Sequence, residues 1–154
     1  MYGIYFYGEI NVIYKNKFMF EPKECSKCKS EEDVRKEVKR QFKLDVHSWH
    51  GIKHWERVEK IGLRLAETTN AYIRVVSLFS FLHDSKREDE DYDPEHGSRA
   101  ALFIQELHRD DSLDISEKQL DQLCFACTHH SRGNAQSNDI TVQTCWDADR
   151  LDLC

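Results

Sequence analysis

The sequence predicts a mainly α protein, a helical bundle that carries a small β-hairpin at its N-terminal end. Three observations lead there. Residues 71–82 read AYIRVVSLFSFL, apolar on nearly every side, as a helix at the centre of a bundle must be. Only 2 Pro and 6 Gly interrupt 154 residues that are 40% hydrophobic and 32% charged, a folded and helix-rich balance that fits one domain. Residues 2–20 are rich in aromatic and β-branched side chains, which suit extended strands.

Taken in order, Tyr14-Lys15-Asn16-Lys17-Phe18 reads as the turn between two extended runs. An isolated hairpin is marginal, so it must pack on the helices or pair with another chain. Residues 21–29 form a polar connector with Pro22 and Cys25-x-x-Cys28, so 1–29 is an appendage to a bundle spanning 30–154. Ser30, with Asp33 three residues on, caps the first helix, whose apolar stripe is Val34, Val38 and Phe42 and which ends before Asp45. The next helix starts irregularly around Gly51 and buries Trp55, Val58, Ile61, Gly62 and Leu65. Gly62 there suggests a close neighbour, at a propensity cost of about 1 kcal/mol.

The core helix over 71–83 follows. Past an acidic loop, Asp93-Pro94 is expected to open a further helix with Pro at its first position, turning Ala101, Ile104 and Leu107 inward. Ser116 and Gln119 make a capping box, Leu120, Leu123, Cys124 and Cys127 a stripe, and Gly133 a C-terminal stop. The stretch ITVQTCWDADRLDLC is the last helix.

Net charge is −6, so no global basic field exists to drive binding to duplex nucleic acid. No run approaches the roughly 18 apolar residues of a membrane span, and MYGIYFYGEI lacks the basic start of a signal peptide. The expectation is a soluble, cytoplasmic protein with its 6 Cys reduced. Cys25-x-x-Cys28 with Cys124-x-x-Cys127 has four-thiolate zinc spacing, but the second pair lies on an apolar stripe and reads as small buried hydrophobes.

The chemistry concentrates at His54, at His83-Asp84 where the apolar helix runs out, and in WDADRLDL near the end. Imidazole beside carboxylate suits a divalent cation, and three helices can bring such groups to one end of a bundle. His47, His50 and His108 read as structural or exposed.

This order resembles the HD-domain metal-dependent phosphohydrolase superfamily over roughly residues 47–153, through H-x-x-R-V at His54-Arg57-Val58, HD at 83 and 84, and D-A-D-R-L at 147–151. The resemblance implies an HD-domain bundle and a metal held by His54, His83, Asp84 and Asp149. It makes Asp147 and Asp152 supporting or capping residues, and Arg57 and Arg150 partners of the carboxylates. His96 and the pair His129-His130 resemble the extra histidines of two-metal members; the alternative is capping or surface roles. Lys86, Arg87 and Arg99 are candidates to bind substrate phosphates, or else a solvated charge run.

The function implied is hydrolysis of a phosphoester or phosphoanhydride of a nucleotide or related small molecule. A divalent ion (Mn, Mg, Co, Ni, Zn or Fe), with a second optional, activates water that Asp84 orients or deprotonates. The rivals are a di-iron HD-type oxygenase and a non-catalytic nucleotide-binding module. The cyclic-dinucleotide phosphodiesterase signature after His130 is replaced by SRGNAQ. Cys154 follows Asp149 by five residues, which predicts a short last helix and a homodimer to cover it.

Overall fold

A computed structural model describes residues 30–153, and within them the chain forms six helices and no strand. They are α1 (Glu31–Gln41), α2 (Ile52–Thr69), α3 (Ile73–Leu82), α4 (His96–Arg109), α5 (Glu117–His129) and α6 (Ile140–Asp152). The mainly α expectation holds. The hairpin and Cys25-x-x-Cys28 lie outside the described residues.

α3 is the axis of the bundle. Every residue from Val75 to Leu82 is buried, and α1, α2, α5 and α6 all touch it. α2 also packs along α6, and α4 along α5. Fully burying Leu78, Phe79 or Leu82 stabilises the fold by roughly 1.5–3 kcal/mol each. On α6, Trp146 fills the core while its Nε1 donates to the Ala126 carbonyl at 2.9 Å, so its polar atom is satisfied.

The caps follow the sequence closely. The Ser30 side chain accepts from the Asp33 N–H, and Ser116 with Gln119 completes a capping box. Asp139 caps α6, accepting from the N–H groups of Thr141 and Val142. Val34 and Val38 point inward on α1, and Phe42 closes it by donating its N–H to the Val38 carbonyl. A polar knot pins α1 down: Ser77 Oγ lies 2.6 Å from Glu31 and 2.8 Å from Glu59, and Arg35 joins both carboxylates.

Gly62 behaves as its position suggested. A Cβ there would lie 2.6 Å from Val76 and 3.3 Å from Ala148, so its absence lets α2 approach α3 and α6 together. Ile61 and Leu65 are only partly buried against the core, and Ala66 takes an inner position instead.

Two boundaries differ from the sequence reading. Pro94 lies in a turn ahead of α4 and not at its first position; the first bond of the α4 ladder runs from the Arg99 N–H to the Glu95 carbonyl. α5 stops at His129 with His130 as its C-cap, so Gly133 is not the terminator, and its φ is not positive. The His130 ring donates from Nδ1 to the carbonyl of Cys127 at 2.7 Å, an acceptor in the last turn of the helix. The short α6 is covered by α2 of the same chain, and Asp149 is buried without a second copy. No described helix is long and apolar enough to cross a membrane.

A candidate metal centre at one end of the bundle

α2, α3 and α6 each deliver a ligand-type side chain to the same end of the bundle. His54 enters from the first turn of α2, His83 caps α3, Asp84 follows it in the chain, and Asp149 comes from the last turns of α6. His54, His83, Asp84 and Asp149 are all buried. Their facing atoms lie close together. His54 Nε2 is 3.1 Å from His83 Nε2, 3.3 Å from Asp149 Oδ1 and 3.7 Å from Asp84 Oδ2. His83 Nε2 is 3.4 Å from Asp84 Oδ2 and 3.6 Å from Asp149 Oδ1.

Those separations suit one small cation. Ligand bonds of 2.0–2.2 Å give polyhedron edges of roughly 2.8–3.6 Å for octahedral to tetrahedral geometry. The donor chemistry fits as well. His54 Nδ1 donates to Asp152 Oδ2 at 2.7 Å, and His83 Nδ1 donates to the Phe79 carbonyl at 3.0 Å. Each contact places a ring proton on Nδ1, so in the neutral rings two Nε2 lone pairs face each other across 3.1 Å. Two acceptors in that position repel unless a positive charge sits between them.

The electrostatics agree. Burial works against charge on the imidazoles, but Asp149 and Asp152 raise His54 above the ordinary histidine value. For His83, likewise opposed by burial, Asp84 and Asp149 do the same. Burial also works against the Asp84 carboxylate, yet His83, His130 and His50 hold it well below the usual carboxylate range. Asp149 is lowered too, with burial opposing and the His54 hydrogen bond prevailing. The cluster favours positive charge, and its buried His and Asp side chains could hold a metal ion.

A second trio lies on the other side of Asp84. Asp84 Oδ1 is 3.3 Å from His96 Nε2 and 3.6 Å from His130 Nε2, and those two nitrogens are 2.9 Å apart. His96 Nδ1 donates to the Asp93 carbonyl and His130 Nδ1 to that of Cys127, again leaving both Nε2 atoms as acceptors. Burial, partly opposed by Asp84, pushes His96 down to about 4, so it is neutral near pH 7. Close approach of the two helices depends on Gly97, where a Cβ would come within 2.2 Å of the Cys127 carbonyl.

Other candidates fall elsewhere. His129 is not part of the second trio: it packs against Phe125, ring centroids 4.5 Å apart, because the last turn of α5 points it away from His130. Lys86 turns from the centre to Gln41 and the face of Phe103. Arg99 donates to the Lys86 carbonyl and pairs with Asp93, so it braces the acidic loop. Arg87 does reach the centre, its Nη1 lying 3.5 Å from Asp84 Oδ1.

Arg57 grips Asp152 through two nitrogens, as a partner of a nearby carboxylate should, and Arg150 lies 3.9 Å from Asp147. His108 donates from Nε2 to the Ile115 carbonyl, a structural role. His50 corrects the sequence reading. It is half-buried at the site, its Nδ1 3.0 Å from Asp84 Oδ2, because the turn at Gly51 swings it over the end of α3. Its spacing of four from His54 was the only signal in the sequence.

A cavity of about 340 Å³ opens beside the cluster, lined by His50, Asp84, Arg87, His130, Asp149 and Arg150 among others. In comparisons with protein-family models, curated proteins and solved structures, nothing matches this chain.

Proposed function

We propose that the protein is a metal-dependent phosphohydrolase acting on a phosphoester or phosphoanhydride of a nucleotide or related small molecule. The observation that carries this reading is that His83 Nε2 stands 3.1–3.6 Å from ligand-type atoms of His54, Asp84 and Asp149, beside a cavity with two arginines in its wall. Arginine suits phosphate because its planar fork offers paired donors to two oxygens and never loses its charge.

In this scheme His54, His83, Asp84 and Asp149 hold the divalent ion. When bound, the ion supplies Lewis acidity and makes water nucleophilic near neutral pH. Asp152 and the Phe79 carbonyl keep the two imidazoles in the liganding tautomer. Asp84 orients the water as its oxygen attacks phosphorus, and His50, 3.0 Å from Asp84, takes the proton released and passes it to the cavity. Arg87 and Arg150 bind the phosphate oxygens while the P–O bond to the leaving group breaks, and that leaving oxygen takes its proton from solvent in the cavity.

The test is a phosphate-release screen over nucleotides and small phosphoesters with Mn, Mg, Co, Ni, Zn and Fe, beside His83→Ala and Asp84→Ala. Release by the native chain and its loss in both variants is the expected result. Activity retained in both variants rejects the site. Nucleotide binding without turnover under every metal supports a binding module instead, and two irons with a mixed-valent signal support oxygenase chemistry.

A further inference from the structure

We infer that the guanidinium of Arg87 takes the place of a second cation, so that the centre holds a single metal ion and Asp84 bridges that ion to an arginine. The inference rests on the metal-dependent reading of the same cluster and adds its stoichiometry and the identity of its second positive charge.

The trio Asp84, His96 and His130 has the make-up of a cation site. Two imidazole Nε2 lone pairs and a carboxylate oxygen meet within 2.9–3.6 Å, and all three residues are buried. Arg87 brings a positive charge to two of them, Asp84 and His96. Its Nη1 lies 3.5 Å from Asp84 Oδ1 and, over the face of the His96 ring, 3.2 Å from Nε2 and 3.4 Å from Nδ1.

The guanidinium is a fixture of the site and not a surface arm that happens to rest there. Arg87 is 8% exposed. Its Nε donates to the Asp89 carbonyl at 3.0 Å and its Nη2 to that of Glu90 at 3.5 Å, so the acidic loop clamps the fork from behind. An ion bonded to His96 and Asp84 at about 2.1 Å would stand near the guanidinium with no counter-charge added between them, like charge beside like charge. Arginine cannot relieve that conflict by losing a proton.

The two oxygens of Asp84 therefore face different partners. Oδ2 looks to His54 and His83, and Oδ1 looks to Arg87, His96 and His130. Because Arg87 also lines the cavity, its charge sits where a terminal phosphate of the substrate would meet it. A clamp of one metal ion and one arginine replaces a clamp of two ions on the phosphoryl oxygens.

The test counts manganese ions per chain by elemental analysis after equilibrium dialysis, with electron paramagnetic resonance to separate an isolated ion from a coupled pair. The native protein is expected to hold one isolated ion, Arg87→Met two coupled ions, and Arg87→Met with His96→Ala one again. Two ions in the native chain, or one in a folded Arg87→Met, overturns the inference while leaving the metal reading intact. Should Arg87→Met fail to fold, the native chain and His96→Ala decide: one ion in each sustains it, and a fall from two to one overturns it. No ion at all in the native chain sinks the metal reading itself, and this inference with it.

Discussion

Asp152 accepts the Nδ1 proton of His54 at 2.7 Å, joining residues 98 positions apart. That one contact decides which nitrogen of His54 faces the centre, and Arg57 in turn fixes the carboxylate. Asp152→Ala is expected to weaken divalent-metal affinity by roughly 10–100-fold while the helices stay folded. Asp152→Asn, which keeps an acceptor oxygen, should lose less. Calorimetric titration with manganese checks both, and equal affinity in all three proteins would reject the orienting role.

Removing the metal should also loosen the fold. A cation that binds only the native state stabilises it by about 2.7 kcal/mol when present at 100 times its dissociation constant. For a chain of this size that corresponds to a Tm lowered by roughly 5–10 °C on chelation. Scanning calorimetry with and without a chelator measures it; His83→Ala should remove the difference.

Gly97 carries a packing prediction. Its missing Cβ leaves 2.2 Å to the Cys127 carbonyl, a backbone atom that cannot swing aside. Gly97→Ala must part α4 from α5, with an expected loss of about 1–3 kcal/mol in denaturant unfolding. Alanine's better helix propensity, worth about 1 kcal/mol, offsets only part of this. A variant as stable as the parent would mean that the two helices are not in such close contact.

Asp139 gives a pH dependence away from the metal ligands. Burial opposes its charge, but the Gln122 amide and the N–H groups of Val142 and Thr141 lower it below the ordinary 3.8. A carboxylate with a depressed folded-state pKa contributes stability above its unfolded value and loses it as pH falls through the folded one. Asp139→Ala should therefore cost about 0.5–2 kcal/mol near pH 7, as loss of a helix cap does. The gap between variant and parent should shrink as pH drops from about 5 to 3. A gap that is constant across that window would mean the carboxylate charge is not what caps α6.

His129 and His130 are neighbours in sequence with opposite fates. His129→Ala should leave metal affinity unchanged and alter stability by no more than about 0.5 kcal/mol, as surface substitutions do. Manganese titration and thermal melting of that variant provide the check.

The helices and their order were legible in the residues. The unbroken apolar run of α3, the capping serines at 30 and 116, and the stripe on α1 are local signals that local steric and hydrogen-bonding rules read. On α5, by contrast, Leu123 and Cys127 are buried but Leu120 and Cys124 only partly, Gln122 and Ala126 taking the inner positions. His54, His83, Asp84 and Asp149 were nameable as well, but as a set only through the resemblance of their motifs to those of HD-domain proteins.

What only the tertiary structure decided is who faces whom. Whether His129 or His130 turned inward, whether Arg87, Lys86 or Arg99 reached the centre, and that His50 belonged to it all hang on how α3, α4 and α5 dock. A side chain's direction at a helix end is set by the last hydrogen bonds of the ladder and by the neighbour it meets, such as the Cys127 carbonyl holding His130. Periodicity gives an element its buried face, but the pairing of two lone pairs or of a carboxylate with a guanidinium arises only when separate elements meet.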